Sequence, residues 1–198
     1  MSHVEEIRRL ALEEVLILVP LGDAGARTSS MEKLEALSAA DRERAMQLAH
    51  RRLAFQVLYE LDITGARDAS PALAILERVE DIGPMDLDRV IEVVKGAYEE
   101  RAQADAKVRE LAPAWPTHRQ PAVDRAVLRL AYFELKRKVL DPRIVINECV
   151  EIAKRFSTEK SPGFVNALLD KISRSLTPIT APVTAPAIMP PTITEAPS

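Results

Sequence analysis

The chain has 198 residues, of which 47% are hydrophobic and 29% charged, and its net charge is −3. This composition is ordinary for a globular protein and excludes a chain that is disordered throughout. The net negative charge argues against nucleic-acid binding, but the charge is unevenly distributed, because residues 114–176 carry twelve Lys and Arg against seven Asp and Glu.

The composition also favours helices and an intracellular location. Aromatic residues make up only 4% and glycines number six, while Ala, Leu, Glu and Arg recur at three- and four-residue spacings. The single Cys149 excludes an intramolecular disulfide framework and suits the reducing cytosol. The apolar run at 15–19 is too short to span a bilayer and follows glutamates, unlike a signal peptide. We predict an all-α, cytoplasmic protein without a membrane segment.

Residues 1–40 form an N-terminal extension with one predicted helix and a linker. The helix covers residues 4–19 and is stopped by Pro20 and Gly22, and the linker covers residues 25–30. The helix is acidic and hydrophobic on more than one side. We therefore expect it to dock on the main body or on another protein.

Cap and stop signals predict a first helical bundle. Ser38 and Asp41 resemble a capping box at the start of a long helix, and Gly65 ends it. A serine–proline pair opens a short helix that Gly83 closes, and Asp86 opens a long one that stops before a proline. The three predicted helices cover residues 38–63, 70–83 and 86–111.

A second bundle is predicted after the aromatic linker "PAWPTH". Its helices cover residues 121–137, 141–156 and 161–173. The β-branched stretch "RIVINECV" keeps helical spacing, with Ile146, Val150, Ala153 and Phe156 on one face. The fold class is therefore all-α, with two packed three-helix bundles in residues 41–176. Residues 177–198 are rich in proline and are predicted to be a disordered tail.

No catalytic, metal or cofactor site is predicted. The three histidines, His3, His50 and His118, fall on separate elements without a partner at ligand spacing. No glycine-rich phosphate loop is present. We therefore expect a protein that is not an enzyme and that needs no cofactor.

Three clusters could instead bind a partner. On the first body helix, one basic stripe is predicted, and arginines there can clamp phosphates and stack on bases. The alternative is a solubilising face, since Glu43 lies among them. The stripe and its flanking residues are Arg44, Gln47, His50, Arg51 and Arg52.

The second cluster lies on the central helix, "AVDRAVLRLAYFELKRK". Asp124, Arg125 and Arg129 must reach water or a partner, and Phe133 continues that side. A stripe of arginine and aromatic residues is typical of a protein interface. An internal network of the arginines with Glu134 is the alternative.

The third cluster is at the corner "EKSPGF". Lys160 precedes a helix start with free N–H groups, which together make a reasonable anion site. Phe164 in the first turn can stack on an unpaired base, or it can simply be a core residue.

Four blocks, "RRLAFQVLYELD", "AVDRAVLRLAYFEL", "PRIVINECVEIAKRFS" and "SPGFVNALLDKI", occur in an order that resembles the NusB family of bacterial transcription antitermination factors. The resemblance covers about residues 42–175. It implies two helical bundles that bind the boxA element of ribosomal RNA leaders. It also implies pairing with the small-subunit ribosomal protein NusE and entry into a complex on RNA polymerase, without catalysis.

The resemblance also places the family's surfaces on this chain. They fall on Gln47–Arg52 and on Lys160 with Phe164 for RNA, and on Asp124, Arg125, Arg129 and Phe133 for NusE. The chain departs from the family in "QLAHRR", where consecutive arginines are usual, and in Ala167, where glycine is usual. Arg42 and Arg44, one to two turns earlier, are candidates to compensate.

We therefore expect an RNA-binding adaptor in antitermination of ribosomal RNA operons, which binds single-stranded boxA-like RNA with NusE. The N-terminal extension is hypothesised to shield the RNA surface until a partner displaces it. One alternative is a helical protein-interaction module or homodimer without RNA binding. Another is the RNA-binding part of a ribosomal RNA methyltransferase, against which the proline-rich end of the chain argues.

Overall fold

A computed structural model describes residues 35–77 and 87–176 of the chain. The predicted N-terminal helix and linker, the helix end at Gly83, the helix start at Asp86 and the proline-rich tail lie outside the described residues. Within the described ranges every regular element is a helix. None of these helices is long and apolar enough to cross a membrane.

The first bundle consists of α1 (Ala39–Ile63), α2 (Pro71–Glu77) and α3 (Leu87–Glu99). Ser38 caps α1 as predicted, because its Oγ accepts a hydrogen bond of 3.2 Å from the backbone N–H of Asp41. After α1 the chain reverses at Gly65, whose φ of +65° lies in the left-handed region that glycine adopts without strain.

The predicted long helix before residue 111 is two helices, α3 and α4 (Arg101–Leu111), and the single-helix prediction was wrong. Glu100 separates them with a ψ of 2°, outside the helical range. The Arg101 guanidinium donates 2.6 Å to the carbonyl of Tyr98 and 2.9 Å to that of Arg67. The bond to Arg67 ties the break to the loop after α1.

The second bundle consists of α5 (Ala122–Arg137), α6 (Pro142–Phe156) and α7 (Ser161–Leu176), after a short 3-10 helix at Thr117–Arg119. The predicted starts of all three helices are confirmed to within one residue, and α7 runs three residues beyond its predicted end. Asp141 caps α6 by accepting from Arg143 N at 2.8 Å.

The two bundles share one hydrophobic core with α5 at its centre. The predicted core positions Leu53, Val57, Leu58 and Leu61 are buried, and Met46 packs at the edge. On α6 the most deeply buried residues are Val145, Cys149 and Ala153. Of the predicted face, Ala153 is therefore in the core, while Ile146, Val150 and Phe156 pack against its edge. At Gly96 a Cβ atom would overlap the ring of Phe133, which shows how closely α3 approaches α5.

Candidate nucleic-acid interface

The predicted basic stripe of α1 does not form one exposed surface. Arg44 is exposed, while Gln47 is half-buried and donates 3.2 Å to Glu43. His50 is half-buried and lines a cleft with Arg89 of α3. In the first turns of α1 Arg44 is therefore exposed to solvent, whereas Gln47 and His50, one to two turns later, are half-buried.

Arg51 is only 4% exposed, so its predicted place on an exposed stripe is wrong. Its Nε and Nη2 both donate to the carboxylate of Glu134 on α5, at 2.9 to 3.2 Å. Burial lowers the pKa of Arg51, but the charge and hydrogen bonds of Glu134 outweigh it, so the pKa is raised overall. Arg51 therefore joins the two bundles through a buried two-pronged ion pair.

Arg52 is also buried, at 5% exposure, but it has no such carboxylate. Its guanidinium lies over Phe156, at the end of α6, with 3.5 Å between the guanidinium carbon and the ring centroid. The Nε and Nη1 atoms are buried and form no hydrogen bond with any described residue. Burial first, and then the charge of Arg155, lower the pKa of Arg52 to about 9.

Asp124 of α5 holds the corner between α6 and α7 through two hydrogen bonds. This carboxylate is 2% exposed and accepts 2.6 Å from the Ser157 hydroxyl and 2.8 Å from the Ser161 hydroxyl. Asp124 was predicted to reach water or a partner, and it does neither. Its burial gives the loop one defined shape directly after the Arg52–Phe156 stack.

Lys160 and Phe164 lie on the outer side of this corner. Lys160 is exposed and forms no ion pair with a described residue. Phe164 is half-buried and packs on the core edge, so its ring is shared between core and surface. The N–H groups of Ser161 and Phe164 bond to the carbonyls of Thr158 and Lys160, so only part of the predicted free N–H set is available.

The other predicted partner residues of α5 are satisfied inside the protein. Arg125 donates to Asp62 of α1, and Arg129 donates to Asp62 and to Asp105 of α4, at 2.5 to 3.0 Å. Burial raises the pKa of Asp62, but the bonds from both arginines outweigh it and lower the pKa overall. Phe133 is buried beneath α3. The predicted exposure of Arg129 and Phe133 is wrong, and Glu134 belongs to Arg51 instead.

The described residues contain no cluster of His, Cys, Asp and Glu that could hold a metal ion. Cys149 is fully buried, and burial raises the pKa of its thiol above the ordinary range. The thiolate that a nucleophile or metal ligand requires is therefore disfavoured.

Sequence reasoning missed the residues that complete these groups. Phe156 was placed on a core face, yet it carries the Arg52 guanidinium, and Asp62 was not considered although it holds two arginines. Arginines on a buried helix face were the available signal, because a buried guanidinium needs a carboxylate or an aromatic ring nearby.

Two helical bundles share α5, the Arg52 guanidinium stacks on Phe156 at the end of α6 without a carboxylate partner among the described residues, and the loop that follows carries the exposed Lys160. This architecture defines a class of small all-helical proteins in which two three-helix bundles share one core. The NusB family model matches residues 48–174. The chain belongs to the NusB family.

Known proteins agree with this assignment. "Transcription antitermination protein NusB" of Desulforapulum autotrophicum is 41% identical over 128 residues, which cover 62% of this chain and 87% of that protein. The protein of the same name from Syntrophotalea carbinolica is 34% identical over 151 residues, 69% and 97% of the two chains. The structure of T. maritima NusB superposes with a TM-score of 0.58 at 29% identity, covering 64% of this chain and 89% of that one.

Proposed function

We propose that this protein is a non-catalytic RNA-binding adaptor in transcription antitermination. It binds boxA-type single-stranded RNA of ribosomal RNA operons together with the ribosomal protein NusE, in a complex on RNA polymerase in the cytoplasm. The relatives are named transcription antitermination proteins, which supports antitermination as the process. The RNA and the partner are inferred from the family resemblance and from the charges at the corner of α6 and α7.

One observation carries the RNA proposal, namely that Arg52 has no counter-ion in the described part of the chain. Arg51, Arg125 and Arg129 each bond a carboxylate of the same chain. Arg52 has an aromatic ring beneath it and Arg155 as the charge that lowers its pKa. A buried cation without a partner is costly, and an RNA phosphate is an anion that would offset this cost on binding.

Three further side chains, those of Lys160, Phe164 and Arg44, add to the proposed RNA site. Lys160 supplies a second cation for the backbone, and the half-exposed ring of Phe164 supplies a stacking surface for one base. Arg44, in the first turns of α1, adds an exposed positive charge. We propose direct contact by Arg44, Arg52, Lys160 and Phe164, and a supporting role for Gln47, His50 and Arg51.

NusE is proposed to contact the outer faces of the helices that α5 holds together. Since Asp124, Arg129 and Phe133 are buried, they would act by fixing these faces, while Arg125 remains partly accessible. Asp124 lies on α5 and bonds to the loop that carries Lys160. A partner that contacts the α5 side would therefore stiffen the RNA site, and each ligand would tighten the binding of the other.

A salt titration tests the proposal. A fluorescein-labelled, single-stranded boxA-like RNA is titrated with the full chain, with and without NusE, at several salt concentrations. For single strands the slope of log K against log salt changes by about 0.7 per phosphate contact. Lys160→Gln should reduce this slope by about 0.7, and the matched control Lys171→Gln, on an exposed lysine three turns away on α7, should leave it unchanged.

Phe164 needs a gentler substitution because it also packs on the core. Phe164→Leu keeps apolar contact and removes the ring, so we expect weaker RNA binding at unchanged thermal stability. A loss of stability typical of a core deletion, with unchanged affinity, would assign the ring to the core alone.

The second candidate function is a protein-interaction module or homodimer without RNA binding. It is favoured by Val139 and Ile144, two exposed apolar side chains at the connection of α5 and α6. RNA binding in neither arm of the titration, together with a dimer in sedimentation velocity, would support it over the RNA proposal.

A further inference from the structure

The segment between the two bundles carries an exposed indole outside the shared core. Trp115 is the only tryptophan of the chain, and 42% of it is exposed. The Arg119 guanidinium carbon lies 5.5 Å from the ring centroid. An aromatic ring paired with an arginine is the usual platform for an unpaired base.

This platform has a rigid base. The backbone N–H of Trp115 donates a hydrogen bond of 3.0 Å to the carbonyl of Ala112. The backbone carbonyl of Trp115 accepts one of 2.9 Å from the buried side chain of Gln120. The Gln120 carbonyl in turn accepts 2.7 Å from Arg125, which is bonded to Asp62. Because the backbone is held on both sides, little conformational entropy would be lost when a ligand covers the ring.

A cationic hollow of about 320 Å³ lies next to this segment. Arg109 lines it, is exposed and forms no ion pair with a described residue, and His118 is exposed beside it. The one carboxylate of the hollow, Asp105, is already held by two bonds of 2.9 Å from Arg129. The Thr117 hydroxyl is buried without a hydrogen bond to a described residue. An unused donor beside unpaired positive charge fits a phosphate group.

We propose that Trp115 and this hollow form a second contact for the single-stranded RNA, with one base stacked on the indole and a neighbouring phosphate held by Arg109 and Thr117. The inference rests on the proposed RNA-binding function and extends its surface. Arg125 and Arg129 of the hollow are paired with Asp62 and Asp105, so the charge that no described carboxylate balances is that of Arg109, and an anionic phosphate fits it better than an uncharged protein surface.

The first turn of α5 connects the two contacts. Asp124 holds the loop that carries Lys160, and the next residue, Arg125, holds the carbonyl of Gln120 below Trp115. Adjacent residues of one helical turn therefore hold both surfaces, and a helix with its side chains is roughly 10 Å across. Single-strand sites of about 4 to 16 nucleotides are common, so one strand can occupy both.

The emission of Trp115 tests the proposal without a label on the protein. The full chain is titrated with a 16-nucleotide single-stranded boxA-like RNA carrying fluorescein, so that anisotropy reports binding while a parallel unlabelled titration reports quenching of Trp115. We expect quenching to follow the binding curve. A six-nucleotide RNA that occupies only the Lys160 surface should bind more weakly and quench less.

Variants separate this contact from the first. Trp115→Ala and Arg109→Gln should each weaken binding of the longer RNA about tenfold and spare the short one, and Trp115→Phe should recover most of the affinity. The matched control Arg174→Gln, an exposed arginine of α7, should have no effect. Unchanged melting curves confirm folding.

Three results would overturn the inference. Binding of the long RNA without quenching, and with full affinity in Trp115→Ala, would leave the RNA function intact and remove this contact. Quenching by NusE but not by RNA would make the face a protein interface. No binding by anisotropy would reject the RNA function and this contact together.

Discussion

Two adjacent arginines of α1 are expected to respond in opposite ways to the same substitution. Arg51→Met leaves Glu134, whose side chain is 17% exposed, without its partner. Breaking a buried ion pair from one side costs about 3–5 kcal/mol, and we expect about 3 kcal/mol because Glu134 retains some contact with water. The free energy of unfolding should fall by this amount.

Arg52→Met is expected to raise the free energy of unfolding instead. One pKa unit corresponds to about 1.4 kcal/mol, so the lowering of the Arg52 pKa to about 9 disfavours the charged form by several kcal/mol. Stacking on Phe156 returns about 2 kcal/mol. Methionine keeps the apolar stem without the charge, and we expect a gain of about 1–3 kcal/mol together with weaker RNA binding.

Urea unfolding followed by circular dichroism measures both variants. The folded-state pKa of Arg52, about 9, lies below its unfolded value, so above about pH 9 the unfolded state binds more protons and wild-type stability rises with pH. The advantage of Arg52→Met should therefore be constant up to about pH 8.5 and shrink as the pH rises from about 9 to 10.5. A loss in Arg52→Met as large as that in Arg51→Met, at every pH, would refute the assignment of an uncompensated charge.

Further predictions concern α5 and its neighbours. Asp62→Asn should lower stability by about 3 kcal/mol at pH 7. Because the folded pKa of Asp62 is lowered, the wild-type advantage in urea unfolding should be lost as the pH falls below about 4, and a constant difference would contradict this. Gly96→Ala should lower the melting temperature through overlap with an α5 ring, whereas Gly163→Ala, which meets open space, should not. If the N-terminal extension shields the RNA surface, deleting residues 1–34 should tighten RNA binding in the anisotropy assay, and an unchanged affinity would exclude shielding.

Much of the fold was predictable because its signals are local. Ser38 and Asp141 cap their helices as expected, and α5, α6 and α7 begin within a residue of their predicted starts. Caps, prolines and apolar spacing act over a few residues, so they can be read along the chain. The break at Glu100 was missed because one of the hydrogen bonds made beside it joins Arg101 to Arg67, in a distant loop.

The site was less predictable. Lys160 is exposed as expected, and Phe164 divides its ring between core and surface. The α5 residues predicted to face a partner are mostly buried, since the helix is covered on several sides. A charged side chain on such a helix looks the same in sequence whether it meets solvent or an internal carboxylate.

The amino-acid sequence by itself determined an all-helical chain, the family to which it belongs and the positions of most helix ends, since periodicity and capping depend on near neighbours. Only the tertiary structure decided which arginine keeps an uncompensated charge. Arg51 and Arg52 point about 100° apart around α1, and the carboxylate that neutralises Arg51 is 83 residues away in sequence. The packing of α5 against α1 brings that carboxylate to one arginine and leaves the other to an aromatic ring.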